Sequence, residues 1–327
     1  MKRSNRILNL LWAMLLFGFT MYAALDTFVI ERSYALAEPA ASGMQAAETF
    51  LENTPAAVSG IATEQAEPIH ANLTIRDALT EESTILSTEN SYCDSNISIS
   101  LQEIRAYGST VYVADVVLSS AEYLQTAFAN NVYGRNVTAK TSSIAESTHA
   151  ILAVNGDYYG ARETGYVIRN GVLYRSTVNR NAEDLVIYRD GSFGIINESE
   201  ISAQDLLDSG AWNVLSFGPA LLIDGEVAVE EGDEVGRAKA SNPRTAIGVV
   251  DELHYLFVVS DGRTSASEGL SLLELAQILR ELGAKTAYNL DGGGSSTMVF
   301  QGRIVNNPTI NGKNISERSV SDIVCIA

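Results

Sequence analysis

The sequence predicts an α+β fold of mixed, largely antiparallel sheets that are rich in hairpins, with a few packed helices, preceded by one transmembrane helix. Short alternating apolar runs separated by tight glycine turns predict the sheets. One run of leucines at helical spacing predicts a packed helix. The 327 residues, 46% hydrophobic and 19% charged, have an ordinary globular composition. A wholly disordered chain, a collagen and a coiled coil are therefore excluded.

The amino terminus predicts a membrane anchor, or a signal peptide, over residues 1–32. Lys2, Arg3 and Arg6 precede an apolar run over 7–25, which is close to the roughly 20 residues that span a bilayer. Cations before such a run stay cytoplasmic. We therefore expect a single-pass protein of the cell membrane with its main domain outside the cytoplasm. Because a small-residue cleavage sequence follows, secretion after signal cleavage is the alternative.

Residues 33–90 predict an acidic, flexible spacer. The segment holds one cation and nine anions and is rich in Ala, Glu, Ser and Thr. Such a composition buries too little apolar surface to offset chain entropy. The whole chain carries a formal net charge of −18, and binders of nucleic acid need a basic face. Nucleic acid is therefore not expected as a partner.

Residues 91–327 predict one globular domain built from hairpins. The strongest signal is Asn170-Gly171, because this dipeptide favours a two-residue turn between paired strands. The predicted strand pairs are 97–104 with 111–118, 167–169 with 172–174, 185–188 with 193–196, 220–223 with 227–229, 245–250 with 253–259, and a short pair around Val299 and Ile304. Hairpins at this density favour antiparallel sheets.

The run 271–282 predicts the clearest helix. Ser271 and Glu274 fit a capping box, and Gly283 follows the last turn. A strand after this helix completes a strand–helix–strand unit over 253–290, which predicts one crossover with a parallel pair. Shorter helices are expected over 121–129, 142–147 and 203–209.

Five clusters of charged or small polar residues lie at the ends of predicted strands. They are Asn155-Gly156-Asp157-Tyr158-Tyr159-Gly160, Asn242-Pro243-Arg244-Thr245, Ser260-Asp261-Gly262-Arg263, Asn289 to Thr297, and Glu317-Arg318-Ser319. Gly292, Gly293 and Gly294 cost backbone entropy, and such a run is tolerated where N–H groups form a nest for an anion. Without a Gly-Lys-Ser/Thr sequence or a following helix, this run is not a P-loop.

The clusters hold the residue types that a phosphorylated glycoside requires. The carboxylates Asp157, Asp261 and Asp291 suit glycosidic cleavage. Arginine forks and backbone N–H groups suit a phosphate, and the matching residues are Arg244, Arg263, Arg318 and the hydroxyls of Ser295 and Ser296. Histidines occur only at 70, 149 and 254, outside the clusters, which argues against a Ser-His-Asp triad and excludes a His-rich zinc site.

Residues from about 100 to 327 resemble the phosphodiester glycosidase family. The resemblance rests on NGDYY at 155–159, NPRTAIG at 242–248, SDGR at 260–263 with SEGLSLLELA just after it, NLDGGGSSTMV at 289–299 and ERSVSD at 317–322. It implies a hydrolase that cleaves the sugar C1–O bond of a sugar-1-phosphodiester. A surface polysaccharide of the cell envelope, teichoic-acid-like or exopolysaccharide, is the substrate expected for an anchored protein.

The resemblance also implies roles for single residues. Asp157 and Asp291 are expected as acid/base or nucleophile, and Asp261 as a sugar or metal ligand. Arg244 and Arg318 are expected to bind phosphate. The rest of the expected binding set is Asn155, Arg263, Gly292, Gly293, Gly294, Ser295 and Ser296.

Two other function classes stay open. One is a metal-dependent phosphodiesterase that cleaves P–O, with Asp157, Asp261, Asp291 and Asn289 as oxygen ligands for Ca²⁺ or Mg²⁺. The other is a non-catalytic module that binds or assembles polysaccharide. No cofactor is required by the sequence, although a divalent cation such as Ca²⁺ fits these ligands. The two cysteines either form one bridge or remain thiols.

Overall fold

The computed structural model describes residues 2–34, 85–235 and 241–327. The predicted spacer therefore lies mostly outside the described residues. A short strand at Leu86–Ser87, within the predicted spacer, pairs with the strand at Ser91–Cys93. Both cysteines are free thiols.

The described residues form four α-helices, which are α1 (Lys2–Phe28), α2 (Thr141–Ser147), α3 (Ala203–Asp208) and α4 (Leu272–Glu281). Helix α4 begins at the predicted capping box, in which Ser271 and Glu274 each bond to the other's backbone. The helix expected over 121–129 is wrong. A single 3-10 turn at Ala121–Tyr123 leads into a strand, because Leu124 and Thr126 are buried in alternation with more exposed neighbours.

Helix α1 covers the segment that predicts a membrane anchor. Within the described part of the chain, no helix is long and apolar enough to cross a membrane. The predicted transmembrane helix is therefore not supported.

The strands are short and numerous. From the amino terminus the described residues form β1 (Arg32–Ser33), β2 (Leu86–Ser87), β3 (Ser91–Cys93), β4 (Ile97–Ala106), β5 (Ser109–Leu118), β6 (Leu124–Phe128), β7 (Gly134–Arg135), β8 (Leu152–Asn155), β9 (Val167–Arg169), β10 (Val172–Arg175) and β11 (Glu183–Tyr188). They continue with β12 (Phe193–Asn197), β13 (Ala211–Leu215), β14 (Ala220–Ile223), β15 (Glu226–Val227), β16 (Thr245–Asp251), β17 (His254–Ser260), β18 (Thr286–Asn289), β19 (Met298–Phe300), β20 (Arg303–Ile304) and β21 (Asp322–Ile326).

Three main sheets carry the fold. A nine-stranded sheet has the order β15-β14-β18-β16-β17-β5-β4-β3-β2, and two five-stranded sheets have the orders β20-β19-β8-β21-β6 and β10-β9-β13-β11-β12. All six predicted hairpins form as antiparallel pairs. The sheet-rich α+β prediction is confirmed at this level.

The predicted parallel pair does not form. Strand β16 lies between β17 and β18 and pairs antiparallel with both. The chain that runs from β17 through α4 to β18 therefore crosses over one strand. Strand β16, the hairpin partner of β17, already lies beside β17, so β18 pairs with β16 instead.

The main core lies between the nine-stranded sheet and the two smaller sheets. Strand β5 illustrates the division, because Tyr112 and Ala114 face this core, whereas Val111 and Val113 pack on the opposite face with α4. Helix α2 covers the outer face of the second sheet, and α3 covers that of the third. Four apolar layers are thus formed around the sheets.

Antiparallel pairing brings several predicted motifs to one edge of the nine-stranded sheet. Strand β16 begins at the same edge at which β17 and β18 end. The residues around Arg244, Asp261 and Asp291 therefore meet there. The Asp291 N–H, at 3.2 Å from the Gly156 carbonyl, connects this edge to the end of β8.

Candidate active site

A cavity of about 810 Å³ lies at this edge of the sheet. Three arginines and two carboxylates give it its chemical character. Its described lining includes Arg244, Arg263, Arg318, Asp291, Glu268, Asn242, Asn311, Gly292 and Gly293, with Phe217, Val235, Ser241 and Ile310. The cavity is large enough for a sugar ring and a phosphate together.

The Asp291 carboxylate lies in this wall and is held by three neighbours. One oxygen accepts from the Gly292 N–H at 2.9 Å. The other accepts from the Ser295 hydroxyl at 2.6 Å and from the Arg318 guanidinium at 2.8 Å. The carboxylate therefore has a fixed position, with its side chain 11% exposed.

Arg318 ties the ERS motif to the glycine loop. Its Nε donates to the Ser295 hydroxyl at 2.8 Å, and its Nη2 donates to the Gly292 carbonyl at 3.1 Å as well as to Asp291. The side chain remains 42% exposed. Part of the guanidinium thus faces the cavity and is available to an anion.

Arg263 also lies against the glycine loop, next to Gly293. Its Nη1 donates to the Ile310 carbonyl at 2.6 Å, and its Nη2 donates to the Asn242 side chain at 3.1 Å. The pKa of this guanidinium is lowered, first by burial and then by the positive charges of Arg318 and Arg244. A bound anion would offset this repulsion and stabilise the Arg263 cation.

Arg244 is the most buried of the three, with 3% exposure. Its Nε donates to the Leu270 carbonyl at 2.8 Å, and its Nη2 forms an ion pair with Glu234. The backbone N–H of Arg244 donates to the Ser260 hydroxyl at 2.9 Å. These contacts fix the start of β16 as well as the position of the charge.

The glycine run allows the loop to pass close to its neighbours. Gly293 has φ +64°, and a Cβ at this position would lie 2.6 Å from the Arg263 Nη2. A Cβ at Gly292 would lie 2.9 Å from the Pro243 carbonyl oxygen. The loop is therefore packed against Pro243 and Arg263, as a close approach of the backbone requires. Gly294 is likewise confined, since its Cβ would lie 3.1 Å from Ile310.

Asn155 holds the start of the glycine loop in position through side-chain hydrogen bonds. Its amide donates to the Asp291 carbonyl at 2.6 Å, and its Oδ1 accepts from the Thr245 hydroxyl at 2.8 Å. The side chain is fully buried. Asn155 therefore connects the ends of three strands without lining the cavity.

Asp157 lies in a separate, fully buried ion network. One of its oxygens accepts from Arg169 at 2.9 Å and from the Ser216 N–H at 2.8 Å. Arg169 also pairs with Asp322 at 2.9 Å. Burial alone raises the pKa of Asp157, but the Arg169 charge and the Ser216 N–H outweigh it and hold that pKa below its usual value. Burial, followed by the Asp157 charge, raises the pKa of Asp322 to about 7.

Asp261 also faces away from the cavity. Its Oδ1 accepts from the Asn307 N–H at 2.8 Å, and its Oδ2 accepts from the Asn307 side chain at 2.9 Å and the Tyr112 hydroxyl at 3.3 Å. It fixes the loop that follows β20. Asp157, Asp261 and Asp291 thus lie in three different networks.

No group of three or more His, Cys, Asp or Glu side chains suited to a metal occurs among the described residues. The joint cation site expected from Asp157, Asp261, Asp291 and Asn289 is therefore not formed there. Asn289 donates to the Gly218 carbonyl at 2.8 Å. Ser296 is fully buried, and its hydroxyl has no hydrogen-bond partner within the described residues.

Some residues in these networks were not predicted as site residues. Glu268 and Asn242 line the cavity, and Arg169 and Asp322 complete the buried network around Asp157. The resemblance motifs already contain Glu268, Asn242 and Asp322. Nothing local to Arg169 distinguishes it, since it occupies an ordinary strand position.

The assembled cavity offers carboxylates, a cluster of cations and a tight glycine loop in one place. This set suits a substrate that combines a sugar with a phosphate. A family model for phosphodiester glycosidases matches residues 148–327, more than half of the chain. The protein therefore belongs to the phosphodiester glycosidase family.

Two curated relatives have similar sequences. An uncharacterized protein YomE, derived from the SPbeta prophage of Bacillus subtilis, is 27% identical over 205 residues, covering 61% of this chain and 31% of the relative. The N-acetylglucosamine-1-phosphodiester α-N-acetylglucosaminidase of Mus musculus is 28% identical over 192 residues, covering 54% and 37%. The chain therefore spans about a third of the length of these relatives.

Two solved structures share the fold. The catalytic domain of the zebrafish N-acetylglucosamine-1-phosphodiester α-N-acetylglucosaminidase, described as auto-inhibited by its pro-peptide, matches with a TM-score of 0.56 at 22% identity, covering 70% of this chain and 82% of that one. A hypothetical protein from Synechocystis matches with a TM-score of 0.51 at 16% identity, covering 70% and 62%. At these identities the likeness concerns the fold.

Proposed function

We propose that this protein hydrolyses the sugar C1–O bond of a sugar-1-phosphodiester. The observation that carries the proposal is the convergence of Arg244, Arg263 and Arg318 on one cavity that also contains the Asp291 carboxylate. The positive charges of Arg318 and Arg244 destabilise the Arg263 cation, and a bound anion would offset this effect. Membership of the phosphodiester glycosidase family supports the same reaction.

The chemistry of the leaving group explains the excess of arginines. When C1–O breaks, the bonding electron pair moves to a phosphate oxygen, and the phosphodiester becomes a phosphomonoester with additional negative charge. Arg263 and Arg318, with exposed donors beside the glycine loop, stabilise that charge as it develops. Asp291 is proposed to act beside the anomeric carbon, where positive charge develops.

A surface glycan of the cell envelope, such as a teichoic-acid-like polymer or an exopolysaccharide, is the proposed substrate. The cavity lies at an open edge of the sheet and is bordered by the exposed side chain of Glu268. An accessible site of this kind suits a residue within a polymer. The animal relatives support N-acetylglucosamine as the first sugar to be tested.

A panel of substrates tests the proposal. The full chain is incubated with sugar-1-phosphodiesters that differ in sugar and aglycone, with the matching alkyl glycosides that lack phosphate as controls. We expect release of free sugar and a phosphomonoester from at least one diester, and none from the alkyl glycosides. Arg263→Lys should lower kcat/KM, because lysine cannot make a bidentate contact, whereas the exposed Arg280→Lys should not. Absence of turnover across the panel would contradict the proposal.

Export of the domain is a separate proposal. Its support is the apolar run over 7–25, which follows three cations among the first six residues. Protease added to intact spheroplasts of an expressing bacterium should digest residues 91–327. Protection of this region from the protease would contradict export.

A further inference from the structure

Glu268 is the second carboxylate of the cavity. Among the described lining residues, only Asp291 and Glu268 carry a carboxyl group. Hydrolysis of a glycosidic bond generally employs two carboxylates with different roles. The structure therefore supplies a pair, but its second member is neither Asp157 nor Asp261.

The two carboxylates differ in what already binds them. Asp291 accepts hydrogen bonds from Gly292, Ser295 and Arg318. The Glu268 carboxylate has no hydrogen bond or ion pair with any described residue, and its side chain is exposed. The Glu268 carboxylate is therefore free to accept a hydrogen bond from a water molecule, whereas the Asp291 carboxylate already accepts three from the protein.

The backbone holds Glu268 at the cavity. Its carbonyl accepts from the Arg263 N–H at 3.1 Å, which closes the loop between β17 and α4. The following Gly269 has φ +106°, and a Cβ there would lie 2.5 Å from the Asn242 carbonyl carbon. A glycine is thus required immediately after Glu268, and it fixes the backbone of this residue at the wall of the cavity.

We propose that Glu268 is the general base of the reaction, an assignment that rests on the proposed function. A water molecule attacks C1 from the face opposite the phosphate. Its oxygen forms the new bond to C1 while one of its protons moves to the Glu268 carboxylate. The C1–O bond to phosphate breaks, and its electron pair leaves with the phosphomonoester. Asp291 stabilises the positive charge on the sugar ring, and the anomeric configuration is inverted.

The arginines make an acid at the leaving group unnecessary. A phosphomonoester is a weak base compared with the alkoxide released from an ordinary glycoside. Arg263 and Arg318 neutralise its charge through hydrogen bonds instead of supplying a proton. Proton transfer is therefore needed only at the attacking water, and this is the proposed task of the Glu268 carboxylate.

Rescue by azide tests this role. Glu268→Gln should lower kcat by roughly 10²–10⁴-fold, as loss of a general base does. Sodium azide, a nucleophile that needs no base, should restore turnover and yield a glycosyl azide of inverted configuration. The exposed Glu281→Gln on α4 is the matched control and should show neither effect. Asp291→Asn should not be rescued, because its proposed role is not proton transfer.

The activity of the wild-type enzyme distinguishes failure of the general-base assignment from failure of the proposed function. If it turns over a sugar-1-phosphodiester while Glu268→Gln retains full kcat, the base assignment fails and the proposed function stands. A product of retained configuration, followed by NMR, would also overturn the assignment. If the wild type hydrolyses no substrate of the panel, the proposed function itself fails.

Discussion

At the residue scale, the structure divides the predicted site residues into those that meet in the cavity and those that support it. Arg244, Arg263, Arg318 and Asp291, all four predicted as site residues, line one cavity. Asp157, by contrast, is fully buried in an ion network. Its partners come from two other strands and could not be inferred from local sequence, because the pairing depends on how the two five-stranded sheets pack together.

Asp291→Asn tests the carboxylate in the cavity. Asparagine preserves the shape and one acceptor but removes the charge, so we expect kcat to fall by roughly 10²–10³-fold, as for other electrostatic groups of active sites. The midpoint of thermal unfolding should change little, because asparagine keeps an acceptor for the Ser295 hydroxyl and the lost ion-pair partner, Arg318, is 42% exposed. Asp224→Asn in an exposed turn is the control. A stable and fully active variant would remove Asp291 from the mechanism.

Asp157→Asn should affect stability more than chemistry. The change removes one of the two charges paired with the buried Arg169. We expect a loss of about 1.5–3 kcal/mol in the free energy of unfolding, the range for hydrogen bonds to charged groups. Chemical denaturation measures this loss, and kcat per folded molecule should be largely retained. A variant of wild-type stability without activity would instead make Asp157 catalytic.

At the element scale, glycine turns and capping residues correctly predicted the hairpins and the start of helix α4. Each predicted hairpin formed, and α4 begins at its capping box. The errors arose where tertiary pairing decided the outcome. Leu124–Phe128 became a strand because β21 pairs with it along its whole length, and β18 could not lie beside β17 because β16 occupies that position. Neither pairing leaves a local signal in the sequence.

Gly293→Ala tests the packing of the glycine loop. The new Cβ would lie 2.6 Å from the Arg263 Nη2, whereas alanine at Gly302, which has a similar positive φ of +75°, meets nothing within 4 Å. Both variants should lose about 1–2 kcal/mol of stability through the left-handed backbone. Only Gly293→Ala should displace Arg263 and raise KM for the phosphodiester. Equal KM values in the two variants would show that the contact is unimportant.

At the scale of the whole molecule, the sheets also bury a carboxyl group away from the cavity. Asp184 lies in β11, fully buried. Burial, followed by the neighbouring Glu198, raises its pKa to about 9. The folded protein therefore holds a proton that the unfolded chain releases near pH 4. Because the folded state binds this proton more tightly, the stability that it contributes is lost as pH rises towards 9.

Asp184→Asn tests this linkage. Asparagine is neutral at every pH and should replace the protonated carboxyl with little change at pH 6. As pH rises to 9, the wild type should lose stability that the variant keeps. The unfolding temperature of the wild type should therefore fall relative to that of the variant. Thermal melts at pH 6, 7.5 and 9 measure it. A difference that is independent of pH would contradict the raised pKa.

Cleavage of the C1–O bond is the central claim, and isotope labelling tests it most directly. The wild-type protein is incubated with a sugar-1-phosphodiester in H₂¹⁸O, and both products are examined by mass spectrometry. Attack of water on C1 places ¹⁸O in the sugar and leaves the phosphomonoester unlabelled, which is the expected result. The sugar is analysed at early times, alongside unlabelled free sugar as a control for exchange at C1. Label in a phosphomonoester would show P–O cleavage and contradict the claim; the other product would then be unlabelled free sugar if the P–O bond to the sugar breaks, or the unlabelled aglycone alcohol if the other P–O bond breaks.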